Sequence, residues 1–171
     1  KDTRPVTIYG SEAVGKIIRP LLANLQFDKK NKAAFQEVEP FKKFVVKGYT
    51  ITPLKAVHDP NSGPVMYSIS QGNKSLLYAH DTGYFAEEVW DYFEKKRPYF
   101  HLVTLDCTEG HRDIHYNTHM NLEQNIKVRD RMLEMGCADK DTKFYCNHFS
   151  HNGGHVLYDE FKKIAKKAGL H

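Results

Sequence analysis

Residues 75–83 read SLLYAHDTG, a strand-forming, largely apolar run that stops at His80, Asp81, Thr82 and Gly83. The sequence changes character here. Upstream, FQEVEP, KFVVKG, YTITPLKAV and PVMYSIS are rich in β-branched and aromatic residues, with Gly48 and Pro53 as punctuation. Gln71-Gly72-Asn73-Lys74 is a hairpin signal between PVMYSIS and SLLYA. These segments predict an antiparallel meander. Downstream, strands and helices alternate. Phe85, Val89, Trp90 and Phe93 share a helical face that ends before Pro98. YFHLVTLDC is a continuous apolar run suited to a strand buried on both faces. Asn121 to Gln124 resembles a capping box, opening a helix that closes at Gly136. The strand KFYC follows, then a last helix with Val156, Phe161, Ile164 and Ala165 inward.

At the N-terminal side, VTIYG predicts a strand and Ser11 a helix N-cap. Val14, Ile17, Ile18, Leu21, Leu22 and Leu25 form one apolar stripe, which Pro20 is expected to kink or interrupt. Antiparallel strands followed by β-α-β-α give an α/β class: a mixed sheet with helices on its outer face. No repeat or low-complexity linker divides residues 1–171, so a single domain is expected. The chain lacks a starting Met and enters a strand almost at once, so the domain is expected to be part of a larger protein.

Composition narrows the setting. No apolar run approaches the roughly 20 residues needed to span a bilayer, so no membrane partner is expected. The three cysteines, Cys107, Cys137 and Cys146, show no paired spacing; reduced thiols and a cytoplasmic location are expected. A net charge of +4 suits an anionic substrate but is too small to argue for nucleic acid by itself.

Several strands end on the same chemistry. TPLKAVHD ends in His58, SLLYAHDTG in Asp81, LVTLDCTEG in Asp106 and KFYCNHFSH in His148. Ligands of open α/β sheets bind beyond the carboxyl ends of the strands, so one rim could collect these groups. Imidazole and carboxylate together suit a divalent metal, and a carboxylate can bridge two such ions. Taken singly, each is ordinary: Asp81 before Thr-Gly suits a turn, and Asp106 is read as a turn residue with no metal role. Residues 147–155, NHFSHNGGH, carry His148 to the rim and then turn into a helix. Gly153 and Gly154 permit a sharp turn and close approach to an anion at the helix start. A zinc knuckle of Cys146, His148, His151 and His155 is the rival reading of that loop.

His58, then LLYAHDTG, LDCT, NTHMN and NHFSH, in this order, resemble the second half of a metallo-β-lactamase-fold hydrolase, closest to its phosphodiesterase branch, which includes ribonuclease Z. The resemblance implies an αββα sandwich, here mainly its second half, and two divalent metal ions, zinc or manganese. It implies that His58, Asp81 and His148 are metal ligands, with Asp81 bridging. His119 and His151 would face the substrate phosphate or move protons, and Gly153 and Gly154 would cradle it. The family's His-x-His-x-Asp-His signature is absent from this chain. The expected function is hydrolysis of a small anionic phosphodiester by a metal-activated hydroxide. RNA remains open as a substrate, as does a homodimer. The alternatives are a thioester or lactam hydrolase of the same fold, and a metal-free scaffold or interaction fragment.

Overall fold

In a computed structural model, residues 5–27, 29–30, 32–113, 117–150 and 157–171 are described. The first unit is β-α-β. Strand β1 (Val6–Gly10) leads through helix α1 (Glu12–Asn24) to strand β2 (Ala33–Glu37), which pairs with β1 in parallel. Phe35 therefore belongs to this two-stranded sheet and not to the meander the sequence suggested. Ser11 caps α1 as expected, its Oγ accepting from the Val14 N–H at 3.4 Å. Pro20 lies inside α1 without ending it. The apolar stripe is only partly buried: Leu22 is inside, whereas Ile17, Leu21 and Leu25 are exposed.

The main sheet has six strands in sequence order: β3 (Phe44–Val46), β4 (Tyr49–Lys55), β5 (Val65–Gln71), β6 (Lys74–Ala79), β7 (Leu102–Asp106) and β8 (Lys143–Asn147). Strands β3 to β6 are antiparallel and β6 to β8 parallel, so the change of character at Asp81 is also the change of pairing. The hairpin at Gly72 and Asn73 forms between Gln71 and Lys74, with Gly72 at φ +56°. Pro53 is tolerated because β3 pairs only with residues 49–51, which leaves no ladder partner wanting its missing N–H.

Helices α2 (Glu87–Lys96), α3 (Leu122–Glu134) and α4 (Tyr158–Lys167) complete the chain order. Alternation in the parallel strands is clean: Leu77, Ala79, Val103, Leu105, Phe144 and Cys146 share the core with Val89, Trp90, Phe93, Val128, Met132, Phe161 and Ala165 from the three helices. The capping box of α3 is complete, with Gln124 N donating to Asn121 Oδ1 at 2.9 Å and Asn121 N donating to Gln124 Oε1 at 3.1 Å. Arg97 adopts the left-handed conformation that closes α2 ahead of Pro98, and Gly136, at φ +69°, follows α3. Ile164, expected inward, is 38% exposed, and Val156 lies outside the described residues.

All three cysteines are free and buried. A hydrogen bond donated to Cys146 and burial push the Cys107 thiol far above its ordinary range, and burial raises Cys137. Cys146 faces this core, away from a knuckle role beside His148.

Candidate metal centre

The antiparallel-to-parallel switch leaves the strand ends β6, β7 and β8 side by side, with the exit of β4 nearby. Beyond those ends, ligand atoms of Asp81, Asp106, His119 and His148 lie within 4.8 Å of one another. His58 joins from the β4 side, its Nε2 3.3 Å from Asp81 Oδ1. His119 Nδ1 is 3.9 Å and His148 Nε2 3.8 Å from that same oxygen. The rings cluster too: His119 lies 5.1 Å from His58 and 5.9 Å from His148, centroid to centroid. The structure thus brings together His58, Asp81, His119 and His148. His151, Gly153 and Gly154, and with them His155, lie outside the described residues.

Two members of the cluster sit in left-handed backbone, Asp81 at φ +55° and His148 at φ +58°. A non-glycine residue held there costs of order 1–2 kcal/mol. Such strain persists where surrounding contacts fix it, and it concentrates at functional sites.

Asp106 is the residue that sequence reasoning set aside. It is completely buried, yet it is a carboxylate inside a ring of donors. The N–H groups of Thr108 and Met120 donate to Oδ1 at 2.9 and 3.1 Å. Around Oδ2 stand the Thr82 N–H at 3.3 Å, Thr108 Oγ1 at 3.2 Å, His119 Nδ1 at 3.1 Å and His148 Nδ1 at 3.2 Å. Its carbonyl accepts from Asn125 Nδ2 at 2.7 Å. Buried carboxylates survive only when so satisfied. Each imidazole that reaches Asp106 by Nδ1 has its ring orientation fixed and Nε2 left for another task. For His148 that nitrogen is on the Asp81 side. This is the carboxylate–histidine arrangement that orients metal ligands. The only sequence signal for it was an Asp at the end of a strand buried on both faces, where an unpaired turn aspartate would not be expected.

His80 adjoins the cluster, its ring tilted against Tyr78 at 4.1 Å and 6.1 Å from His148, centroid to centroid. Burial and the neighbouring His148 lower its pKa, and its Nε2 has no hydrogen-bond partner among the described residues.

The donor set fits a divalent cation. The Nε2 atoms of His58 and His148 face one Asp81 oxygen, and the Asp106-held Nδ1 of His119 lies beside it, more than an ordinary ion pair requires. In neutral rings protonated at Nδ1, the Nε2 atoms of His58 and His148 carry lone pairs that a shared cation accommodates together with the carboxylate. The mixture of imidazole nitrogen and carboxylate oxygen suits borderline ions such as zinc or manganese.

This sheet order and rim define the metallo-β-lactamase-like class of sandwich, dominated by a large mixed sheet with helices on its outer face. Residues 1–135 match the family described as the beta-lactamase superfamily domain, and the chain belongs to that family. Three solved structures illustrate the fold. The metallo-beta-lactamase fold protein YhfI from Bacillus subtilis superposes with a TM-score of 0.67 at 21% identity, over 98% of this chain and 59% of its own. Unliganded yeast PDE1 gives 0.69 at 13% identity, over 99% and 57%. Isothiocyanate hydrolase from Delia radicum gut bacteria gives 0.62 at 15%, over 96% and 61%. The chain therefore spans about three fifths of the length of these structures. No curated protein matches the chain significantly. Among the described residues, no helix is long and apolar enough to cross a membrane.

Proposed function

We propose that the rim is the metal centre of a phosphodiesterase, in which His58, Asp81 and His148 would hold two divalent ions, zinc or manganese. The observation that carries this reading is the convergence of His58, His119 and His148 on Asp81 Oδ1, from separate parts of the chain. When bound, such ions supply an activated water and neutralise charge on the phosphoryl oxygens. The chain's own groups do the rest. Asp106 holds His119 by Nδ1, so the ring presents Nε2 as its remaining polar atom. A positioned imidazole of this kind can give a proton to the leaving oxygen near neutral pH. His148, held by Asp106 from the other ring nitrogen, keeps its Nε2 on the Asp81 side. His151, Gly153 and Gly154 are assigned to the phosphate on chemical grounds: an imidazole, and residues without side chains that an anion could approach, suit an oxyanion.

A phosphodiester accounts for a histidine beyond the metal set better than an acyl substrate does. Hydrolysis of bis(4-nitrophenyl) phosphate by manganese- or zinc-loaded protein, beside a chromogenic lactam, tests this. Turnover of the phosphodiester that Asp81→Ala abolishes is expected. Equal rates for wild type and Asp81→Ala, or preference for the lactam, would contradict the assignment.

A further inference from the structure

The Thr82–Gly83 turn touches nearly every arm of the centre while contributing no ligand of its own. Thr82 is completely buried. Its Oγ1 accepts from the Val57 N–H at 2.9 Å and lies 3.1 Å from the Gly83 carbonyl, to which it donates. The Gly83 N–H donates to the Val57 carbonyl at 2.8 Å. Both backbone groups of Val57 are therefore held by this turn, although β4 has ended at Lys55, and the next residue is His58. The Thr82 N–H donates to Asp106 Oδ2 at 3.3 Å, and the preceding residue is the left-handed Asp81. On its other side the turn meets the segment that leads to His119. A Cβ built on Gly83 would lie 1.8 Å from the Asn117 carbonyl oxygen, so that backbone rests against the glycine itself.

We infer that Thr82 and Gly83 are positioning residues which set where His58, Asp81, Asp106 and His119 meet, a role that rests on reading the rim as a metal centre. The hydroxyl does what no backbone group can do here. It satisfies an N–H beyond the end of a strand and hands its own proton to the turn, so the β4 exit and the β6 exit move as one body. Gly83 does the same for the Asn117 segment by having no side chain. His148 is the arm not tied to this turn; Thr108 and Asp106 hold it instead, with Thr108 Oγ1 2.9 Å from His148 Nδ1. Thr82 thus governs one side of the cluster and Thr108 the other.

Cobalt(II) titration of the full chain, followed by visible absorbance and calorimetry, tests the inference without relying on activity. Thr82→Ser keeps the hydroxyl and should bind cobalt within about threefold of wild type. Thr82→Val keeps the shape and removes the hydroxyl. It should lose about 10- to 100-fold in affinity, the range typical of outer-sphere partners, and alter the cobalt absorbance envelope, while Trp90 fluorescence still reports a cooperative fold. Thr82→Ala, which also lacks the hydroxyl and is less prone to repacking clashes, is measured alongside and should behave as Thr82→Val. Wild-type affinity and an unchanged spectrum in both hydroxyl-free variants would overturn the positioning role while leaving the metal centre standing. Absence of saturable cobalt binding by the wild type would overturn both.

Discussion

At the level of single residues, Asp106 organises the chemistry. A carboxylate this deeply buried is stable only because backbone amides and imidazoles surround it. Asp106→Asn keeps the shape but removes the charge that holds two rings by Nδ1. We expect metal affinity to fall about 10- to 100-fold, measured by calorimetric competition with a chelator. Gly83 carries a steric demand instead. Gly83→Ala must push the Asn117 carbonyl aside, and overpacking of this kind costs about 1–3 kcal/mol, readable as a lower urea midpoint at constant slope. His80 sets a pH dependence. Its pKa is lowered by burial and by His148, so on acidification the unfolded chain takes up the proton first. Its contribution is therefore nil at high pH and destabilising as pH falls through about 6.5, the unfolded value. In metal-free protein, His80→Phe should lose less stability than wild type between pH 7.5 and 5.5, buffer conditions in which urea unfolding reads the difference.

At the level of elements, sequence and structure agree where local chemistry is decisive. The capping box of α3, the Ser11 cap, the Gly72 hairpin and the antiparallel-to-parallel switch all rest on a few neighbouring residues, and all were legible. Two features were not. The parallel pairing of β2 with β1 depends on a crossover that strand composition cannot show, since Phe35 reads the same beside either sheet. At Pro20 the sequence left a kink and an interruption open, and the helix continues, because tertiary context can retain a helix whose interior has lost one hydrogen bond. In the site, His58, Asp81 and His148 were legible as strand-end residues. The importance of Asp106 was not, since a turn aspartate and a buried hydrogen-bond hub are the same letter. The core thiols offer a check on helix and strand packing. Cys107 and Cys137 are raised by their surroundings and Cys146 is buried, so Ellman's reagent should label none of the three rapidly in native protein. Cys107 or Cys146 reacting at the rate of free cysteine would contradict the packing of β7 against β8.

At the level of the whole molecule, one aromatic core on the helical side of the sheet holds the rim in place. Trp90 packs against Phe85 at 5.3 Å and Phe93 at 5.8 Å, and Phe93 against Phe100 at 5.6 Å. Arg131 covers the indole at 4.4 Å and forms a paired contact with Glu87 at 2.9 and 3.0 Å. The hydrogen bond from Arg131 holds the Glu87 carboxyl below its ordinary value. The far face of the sheet differs: Tyr78 and Tyr145 flank Thr104 in register and remain partly exposed, and the row beyond them pairs Asp106 with Asn147. The helical side thus supplies stability and the strand ends carry the candidate metal centre. Phe93→Ala should cost about 3–5 kcal/mol in urea unfolding followed at the single tryptophan.

The proposed centre requires His58, Asp81 and His148 to act together on a cation. Zinc titration of the full chain by calorimetry, with elemental analysis of the dialysed product, addresses this directly. The account predicts saturable, stoichiometric binding that Asp81→Ala and His148→Ala each abolish or weaken by orders of magnitude, with the fold intact by Trp90 fluorescence. Zinc retained equally by wild type and both variants, or taken up by none of them, would contradict it.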